Sequence, residues 1–318
     1  MVKQVLICAA ARSGSTLLDM LLGEHSRIES LGEIDFLGKA IARNELCSCG
    51  QSVRVCATWE NLFQIIREER GIDLIRTPYA LRQWDTWMDN ANADYDQQTS
   101  SYLFRRLVRR AVTIIHYSHA IGNSIVPLPP MLKKYLGNTI YTYDLIRRLR
   151  GVDMVVDSSK EIYKAISVYL RDPGSTRIIL LIRDGRGVLY SRLYSGVLTG
   201  ESPISAIGKW RKYYSRALDL VQRWVDPSHV SYLRYEDLVA KPDETVTKLY
   251  PWLGVQADPL LSSQSKKLLH IAGGNDGTKA RFKQGIQLDN RWLDGLNQQE
   301  LDLFDRLAGR LNRRLGYA

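Results

Sequence analysis

The stretch from residue 4 to residue 22 reads QVLICAAARSGSTLLDMLL, and its two halves differ in how their apolar residues are spaced. The first half, Gln4 to Ala10, is almost continuously apolar, which is typical of a strand buried on both faces of a sheet. In the second half, Leu17, Leu18, Leu21 and Leu22 recur at helical spacing. A short turn of small residues separates the halves. The stretch therefore predicts a buried strand, a tight turn and a helix.

The turn itself, Arg12-Ser13-Gly14-Ser15-Thr16, has the composition of an anion site. Backbone N–H groups at the start of a helix point at an anion, and a glycine lets the backbone come close to it. The two hydroxyls after Gly14 add donors, and Arg12 adds a planar charged fork suited to oxyanions. The turn is not a Walker A loop, because Gly14 is followed by Ser15 and not by lysine. A plain N-capping turn is the structural alternative, but such a turn needs neither Arg12 nor this run of small polar residues.

Further strand and helix patterns alternate along the chain. The predicted strands after the first are Met154–Val156, Arg177–Ile182 and Val230–Leu233. The predicted helices are Thr16–Glu24, Thr58–Arg70, Ser100–Ile121, Pro130–Arg150, Glu161–Arg171, Gly187–Val197, Ile204–Val225, Pro242–Leu253 and about Gln298–Leu315. This alternation predicts an α/β fold with a central, mostly parallel sheet flanked by helices. We expect a single domain over residues 1–318, with a mostly helical insertion or cap at about 47–150.

Composition narrows the class of protein. The 318 residues are 45% apolar and 25% charged, which excludes a disordered tail protein, a collagen and a coiled coil. No apolar run is long enough to span a bilayer. Lys3 and the short apolar run after it only faintly resemble a signal peptide, so a cytoplasmic location is expected. The formal net charge of +10 suggests an anionic partner.

A second candidate anion site follows the predicted strand Arg177–Ile182. Arg183 and Asp184 come directly after this strand, and Ser191 lies eight residues beyond Arg183, two turns into the next predicted helix. Such an arginine and serine converge on one point at the end of the sheet. With the two loops in this order, the chain resembles the sulfotransferases that use 3′-phosphoadenosine 5′-phosphosulfate (PAPS), in particular their carbohydrate and bacterial branch.

The resemblance implies a P-loop NTPase-like fold, PAPS as the sulfuryl donor and 3′-phosphoadenosine 5′-phosphate (PAP) as the product. It assigns Arg12, Ser13, Gly14, Ser15 and Thr16 to the 5′-phosphosulfate. It assigns Arg183 and Ser191 to the 3′-phosphate. Near the end of the chain, Asn275 and Arg281 resemble the Gly-Asn-…-Arg-Phe segment that contacts the nucleotide in this branch. Arg281 lies six residues after Asn275 and not three, so this loop is longer than the usual one.

The resemblance also points to Glu33, in Leu31-Gly32-Glu33, as the general base that takes the acceptor proton. Partial burial at the edge of the sheet would raise the pKa of Glu33 toward a useful value. Alternatively, Glu33 is the N-terminal charge of a helix that begins near Ile34. Arg12 would stabilise charge on the leaving phosphate. Lys160, at the end of a neighbouring strand, either adds a second charge at the sulfuryl group or is simply solvated. Sulfuryl transfer of this kind needs no metal, because cations of the protein replace magnesium.

Three cysteines, Cys47, Cys49 and Cys56, are spaced in a way that suggests zinc, but a closed zinc site needs four ligands. The only other cysteine is Cys8, which belongs to the first predicted strand. The pattern is therefore interpreted as a local structural loop without metal, and a disulfide from Cys56 to one of the other two remains an alternative.

The expected activity is sulfuryl transfer to the hydroxyl of a glycan, a lipid or a secondary metabolite. The sequence does not distinguish O- from N-sulfation and does not reveal the oligomeric state. The helical region from residue 57 to residue 150 and a loop-rich stretch, Leu260–Asp289, are expected to shape the acceptor pocket. The alternative is a nucleotide- or nucleic-acid-binding protein of the same fold without this activity. Nucleic acid is not the expected partner, because no reading motif is present and the basic residues are scattered.

Overall fold

Five parallel strands form the centre of the molecule, and they are β1 (Gln4–Cys8), β2 (Ile28–Ser30), β3 (Met154–Asp157), β4 (Thr176–Ile182) and β5 (Val230–Arg234). The computed structural model of the chain describes residues 1–83, 130–196, 200–257, 267–274, 276–282 and 286–318. The strand order is β2-β3-β1-β4-β5, and every neighbouring pair is parallel. The fold is α/β with a central parallel sheet, as the sequence predicts.

Both faces of the sheet are covered, which explains the unbroken apolar runs. Along β1, Leu6 and Cys8 point into one hydrophobic cluster, and Val5 and Ile7 point into the other. Side chains alternate between the faces of a strand, so a strand with a core on each side must be apolar at every position.

The helices of the described residues pack on these two faces. They are α1 (Ser15–Gly23), α2 (Leu37–Ala42), α3 (Ala57–Arg70), α4 (Pro130–Arg150), α5 (Ile162–Arg171), α6 (Gly185–Tyr194), α7 (Pro203–Trp224), α8 (Tyr235–Ala240), α9 (Pro242–Leu253), α10 (Asp276–Phe282), α11 (Trp292–Gly295), α12 (Gln298–Phe304) and α13 (Arg310–Arg314). Within the described ranges, no helix combines the length and the apolar character needed to cross a bilayer.

Most predicted elements agree with the observed ones to within two or three residues at each end. The predicted C-terminal helix is broken into α12 and α13 by a π-helical turn, Asp305–Gly309. Among the described residues of the stretch expected to be loop-rich, 267–274, 276–282 and 286–289, there is one helix, α10. The predicted helix Ser100–Ile121 lies outside the described residues.

The predicted insertion is described in two parts, residues 47–83 and 130–150. Trp59 and Leu62 of α3 and Leu145 and Ile146 of α4 join the hydrophobic cluster that covers one face of the sheet. The described part of the insertion is thus packed on the sheet through a shared core.

The strand order determines where a ligand can bind. After β1 the chain crosses to the far edge, β2, and later returns to the other side of β1 as β4. In such sheets, ligands bind outside the carboxyl ends of the strands where the chain changes direction. The two candidate anion loops follow β1 and β4, which are hydrogen-bonded neighbours.

Candidate functional site

The first loop follows β1 and has the backbone of an anion cradle. Gly14 has φ 88° and is the N-terminal cap residue of α1, and as a glycine it offers no side chain to cap the helix. A Cβ atom at Gly14 would lie 2.5 Å from a ring carbon of Tyr235, so only glycine fits here. Arg12 also has a positive φ, 75°. The strained backbone turns the first N–H groups of α1 toward the open end of the sheet.

Tyr214 of α7 supports this loop from behind. Its hydroxyl lies 3.1 Å from Ser13 Oγ, accepts from the N–H of Ala10 at 3.3 Å and donates to the carbonyl of Leu181 at 2.7 Å. Burial raises the pKa of Tyr214 to about 12, so the hydroxyl stays protonated and can keep donating. These hydrogen bonds attach the first loop to the core of the molecule.

The second loop meets the first directly. Arg12 Nε donates to Ser191 Oγ at 2.9 Å, and Arg183 donates to the carbonyl oxygen of Arg12 at 2.9 Å. Arg12, Arg183 and Ser191 were predicted from separate segments to bind one nucleotide, and the structure brings these three residues together.

Two further residues hold Arg183, and the sequence analysis did not identify either as part of the site. The guanidinium of Arg183 lies 4.5 Å from the ring centre of Tyr235, and it pairs with Asp289 Oδ2 at 3.2 Å. Burial alone would raise the pKa of Asp289, but hydrogen bonds from Arg291 and Arg183 lower it to about 2. Arg183 is only 5% exposed, so its position is set by these contacts.

Glu33 follows a tight turn at the end of β2. Gly32 adopts φ 66°, and Glu33 directly precedes a short 3-10 helix, Ile34–Phe36, for which it is the N-terminal cap residue. Its carboxylate forms an ion pair with Lys160, and both side chains are less than one-fifth exposed. Lys160 is therefore paired with Glu33 and is not simply solvated. Lys160 has φ 71°, and its carbonyl accepts a hydrogen bond from Tyr213 at 2.7 Å.

A buried carboxyl group, Asp19 of α1, holds the turn before Glu33. Asp19 Oδ2 accepts from the N–H of Gly32 at 2.9 Å and from Ser158 Oγ at 3.2 Å. Burial raises the pKa of Asp19 to about 8, although hydrogen bonds from Ser30, Ser158 and Gly32 oppose this shift. In the sequence, Asp19 lies among leucines on a buried helix face. An acidic residue at such a position was the signal that could have identified it as part of the site.

A buried charged network lies behind Lys160. Lys164 Nζ forms ion pairs with Asp35 and with Asp157, at 2.5 Å in the second case, and Tyr143 donates to the same Asp157 carboxylate. Burial alone would lower the pKa of Lys164, but the two carboxylates raise it above its usual range. The network anchors the end of β3 to the 3-10 helix after Glu33.

A glycine-containing segment connects Glu33 to the first loop. Ala272 forms a parallel bridge with Gly32. A Cβ atom at Gly273 would lie 3.5 Å from the carbonyl oxygen of Glu33, and one at Gly274 would lie 3.5 Å from Thr16. Glu33 and the first loop therefore flank the same short segment at the carboxyl edge of the sheet.

The two residues predicted near the C-terminal end have different outcomes. Arg281 lies within α10, which packs against α1, the helix that begins at the first loop. Asn275 lies outside the described residues.

The three cysteines converge with a fourth candidate ligand. The sulfur atoms of Cys47, Cys49 and Cys56 and a ring nitrogen of His270 all lie within 4.8 Å of one another. The three thiols are free, so the disulfide alternative does not describe this structure. The expectation that a fourth ligand is missing is wrong, because His270 lies beside the three cysteines. His270 is 214 positions from Cys56, so the spacing of the cysteines does not indicate it.

Comparison with known proteins gives one family and one fold. A family model described as "Sulfotransferase family" matches residues 4–259. No curated protein matches the chain.

Three solved structures have a similar fold. A sulfotransferase domain from the Synechococcus PCC 7002 olefin synthase is 20% identical, with a TM-score of 0.54, over 100% of this chain and 95% of that chain. A sulfotransferase from Mycobacterium avium is 13% identical, with a TM-score of 0.52, over 100% of this chain and 78% of that chain. A sulfotransferase domain from the curacin biosynthetic pathway is 19% identical, with a TM-score of 0.51, over 100% of this chain and 99% of that chain.

Proposed function

The chain belongs to the sulfotransferase family, and from this premise we propose that it transfers a sulfuryl group from PAPS to the hydroxyl of an acceptor. One observation carries the proposal. Two anion loops, joined by the contacts of Arg12 with Ser191 and Arg183, lie at the same sheet edge as an ion-paired carboxylate, Glu33.

The donor binds across the two loops. The 5′-phosphosulfate lies on the first loop, where the N–H groups of α1 and the Arg12 guanidinium face it. The 3′-phosphate lies at Arg183 and Ser191. Because Asp289 pairs with Arg183 in the structure, a phosphate that binds there takes over part of the interaction that Asp289 now makes. We assign Arg281 and Asn275 to further contacts with the nucleotide.

The transfer needs a base, and Glu33 is the candidate. As the acceptor oxygen attacks sulfur, its proton passes to Glu33, the new S–O bond forms, and the bond from sulfur to the phosphate oxygen of the donor breaks. PAP is the leaving group. Arg12 and the N-terminus of α1 stabilise the charge that gathers on PAP, and no metal is required for this step. Lys160 holds the Glu33 carboxylate in place through their ion pair, and its charge lies close to where the sulfuryl oxygens pass.

The acceptor is a glycan, a lipid or a secondary metabolite. We propose that the helical region from residue 57 to residue 150 and the stretch from residue 260 to residue 289 form its pocket. On the chain, the first segment lies between the two donor loops and the second follows them.

The activity is tested by incubating the full chain with labelled PAPS and fractionated metabolite, lipid and glycan extracts. Transfer of label to a defined hydroxyl compound, with one PAP released per label transferred, is the expected result. Tight PAP binding without transfer to any fraction would favour the alternative, a nucleotide-binding protein of this fold that is not a sulfotransferase.

The base is tested with Glu33→Gln. We expect kcat to fall by about 10²–10⁴-fold, because the acceptor proton loses its base, while PAP affinity stays within about twofold. The matched control is Glu244→Gln, the same change in the exposed first turn of α9, which should leave both quantities unchanged. Retention of more than about half of kcat in Glu33→Gln would exclude Glu33 as the base.

A further inference from the structure

We propose that Cys47, Cys49, Cys56 and His270 bind one Zn²⁺ ion in a closed, structural site. The ligand atoms are the three sulfur atoms and Nδ1 of the imidazole. Three thiols lose their protons when the metal binds, and the imidazole binds in its neutral form. This inference is independent of the sulfuryl transfer proposed above.

The spacing of the four atoms fits tetrahedral zinc. With Zn–S bonds of about 2.3 Å and Zn–N bonds of about 2.0–2.1 Å, sulfur atoms should be roughly 3.8 Å apart and sulfur and nitrogen roughly 3.6 Å apart. The Cys49–Cys56 and Cys47–Cys56 sulfur distances are 3.7 and 3.8 Å. The distances from His270 Nδ1 to the sulfurs of Cys56 and Cys47 are 3.2 and 4.0 Å, on either side of the expected value.

The chain builds this geometry with ordinary turns. The N–H of Gly50 donates to the carbonyl of Cys47 at 2.9 Å, and Gly50 adopts φ 93°, so the backbone reverses and Cys47 and Cys49 present their sulfurs together. Cys56 comes directly before α3 and is the N-terminal cap residue of this helix, so the helix start fixes its position.

His270 is held in place by contacts that do not involve the cluster. Ser48 Oγ donates to the carbonyl of Leu269 at 2.6 Å and accepts from the N–H of Ile271 at 2.8 Å. The N–H of Ser48 donates to the carbonyl of Ile271 at 3.1 Å. These three bonds clamp the backbone on both sides of His270 to the residue between Cys47 and Cys49. The fourth ligand is thus positioned before any metal arrives.

The donor set determines the metal and its role. Thiolates and imidazole are soft to borderline ligands, which zinc prefers and which magnesium and calcium do not. Four protein donors fill a tetrahedral shell and leave no position for water or substrate, so the site is structural. Cys47 and Cys56 are buried, with 3% and 0% of their surfaces exposed.

The site joins the turn before α3 to residues 270–274, the segment that contacts Gly32, Glu33 and Thr16. Metal binding is therefore expected to stabilise this segment. Loss of the metal should lower the thermal stability of the whole chain.

The first experiment measures metal in the full chain, purified without a histidine tag from cells grown with added zinc. We expect about one zinc per chain. Refolding with Co²⁺ in place of zinc should give the intense visible absorption and thiolate charge-transfer bands of a tetrahedral site with three sulfur ligands. Zinc below about 0.1 per chain together with no cobalt bands would overturn the proposal.

The second experiment tests the ligand set. His270→Ala should reduce zinc affinity at least about tenfold, and His270→Cys should retain zinc, because four thiolates also form a closed site. Cys8→Ala is the matched control and should keep a full complement of zinc. If His270→Ala does not fold, the cobalt spectra of the natural chain and of His270→Cys show whether His270 is a ligand. The thiolate bands should be stronger in His270→Cys, because a sulfur ligand then replaces the nitrogen ligand. Identical spectra, or full zinc in a folded His270→Ala, would show that His270 is not a ligand.

Discussion

The donor edge, formed by the loops after β1 and β4, and the cysteine–histidine cluster, formed by Cys47, Cys49, Cys56 and His270, are assembled in different ways. At the edge, each loop is contiguous in sequence and follows a strand, and the sheet brings the two loops together. In the cluster, three ligands are local and the fourth is 214 positions from Cys56. A site whose parts follow regular elements can be predicted from one sequence, whereas a site closed by one distant residue cannot.

Removing Arg12 is expected to give the largest effect that separates the two regions. Arg12→Ala should lower PAP affinity by about 10- to 150-fold, equivalent to about 1.5–3 kcal/mol, because a charge-assisted contact is lost. Turnover should fall as well, because Arg12 also faces the leaving group. Titration calorimetry and zinc analysis of the same sample check this.

The control for that change is Arg171→Ala, at the exposed end of α5. Zinc content should stay at the value of the natural chain in both variants. Loss of zinc together with PAP affinity in Arg12→Ala would mean that the edge and the cluster fold as a single unit, and the comparison would fail.

Arg183→Ala tests which phosphate binds to which loop of the donor edge. Arg183 should bind the 3′-phosphate, so the variant should lose about tenfold or more in affinity for PAP and much less in affinity for adenosine 5′-monophosphate. The two ligands share every group except that phosphate. Equal losses for both, measured by calorimetry, would mean that Arg183 only supports the first loop through the carbonyl of Arg12.

Asp19 is expected to affect the stability of the fold, through the turn that lies between the two regions. Burial raises the pKa of Asp19 from 3.8 to about 8, so between these values the folded chain holds a proton that the unfolded chain lacks. Stability from this group is complete at low pH and is lost as the pH rises through about 8. Between these two pKa values, Asp19 lowers the free energy of unfolding by about 1.4 kcal/mol for each pH unit of increase.

Asp19→Asn should remove this slope, because the amide keeps an oxygen for the N–H of Gly32 and does not titrate. Urea unfolding of both chains at about pH 6 and about pH 8 measures the difference. The free energy of unfolding of the natural chain minus that of the variant should be smaller at about pH 8 than at about pH 6. A constant difference would mean that Asp19 is ionised in the folded chain throughout.

Much of the fold follows from hydrophobic spacing, and the reason is visible in β1. A strand with a core on both faces must be apolar at successive positions, so Gln4–Cys8 was predictable from sequence. The C-terminal helix shows the limit of this reasoning. Its apolar residues have helical spacing throughout, yet a π-helical turn at Asp305–Gly309 interrupts the helix. Apolar spacing does not predict such a turn, because it does not determine which backbone groups form hydrogen bonds.

For the candidate site, the meeting of the two loops was predictable from the sequence, but the residues that hold Arg183 were not. Arg12, Arg183 and Ser191 were identified from loops next to strands. The partners that hold Arg183, which are Tyr235 and Asp289, come from other parts of the chain and have no local signature. These contacts depend on which elements become neighbours, which a single sequence does not reveal.

Titration calorimetry of the natural full chain, without added magnesium, tests the central claim most directly. The account predicts that one PAP molecule binds per chain, at least about tenfold more tightly than adenosine 5′-monophosphate, with no change when magnesium is added. ATP with magnesium should bind more weakly than PAP, because the first loop lacks the Walker lysine. Absence of PAP binding, or tighter binding of ATP with magnesium, would contradict the account.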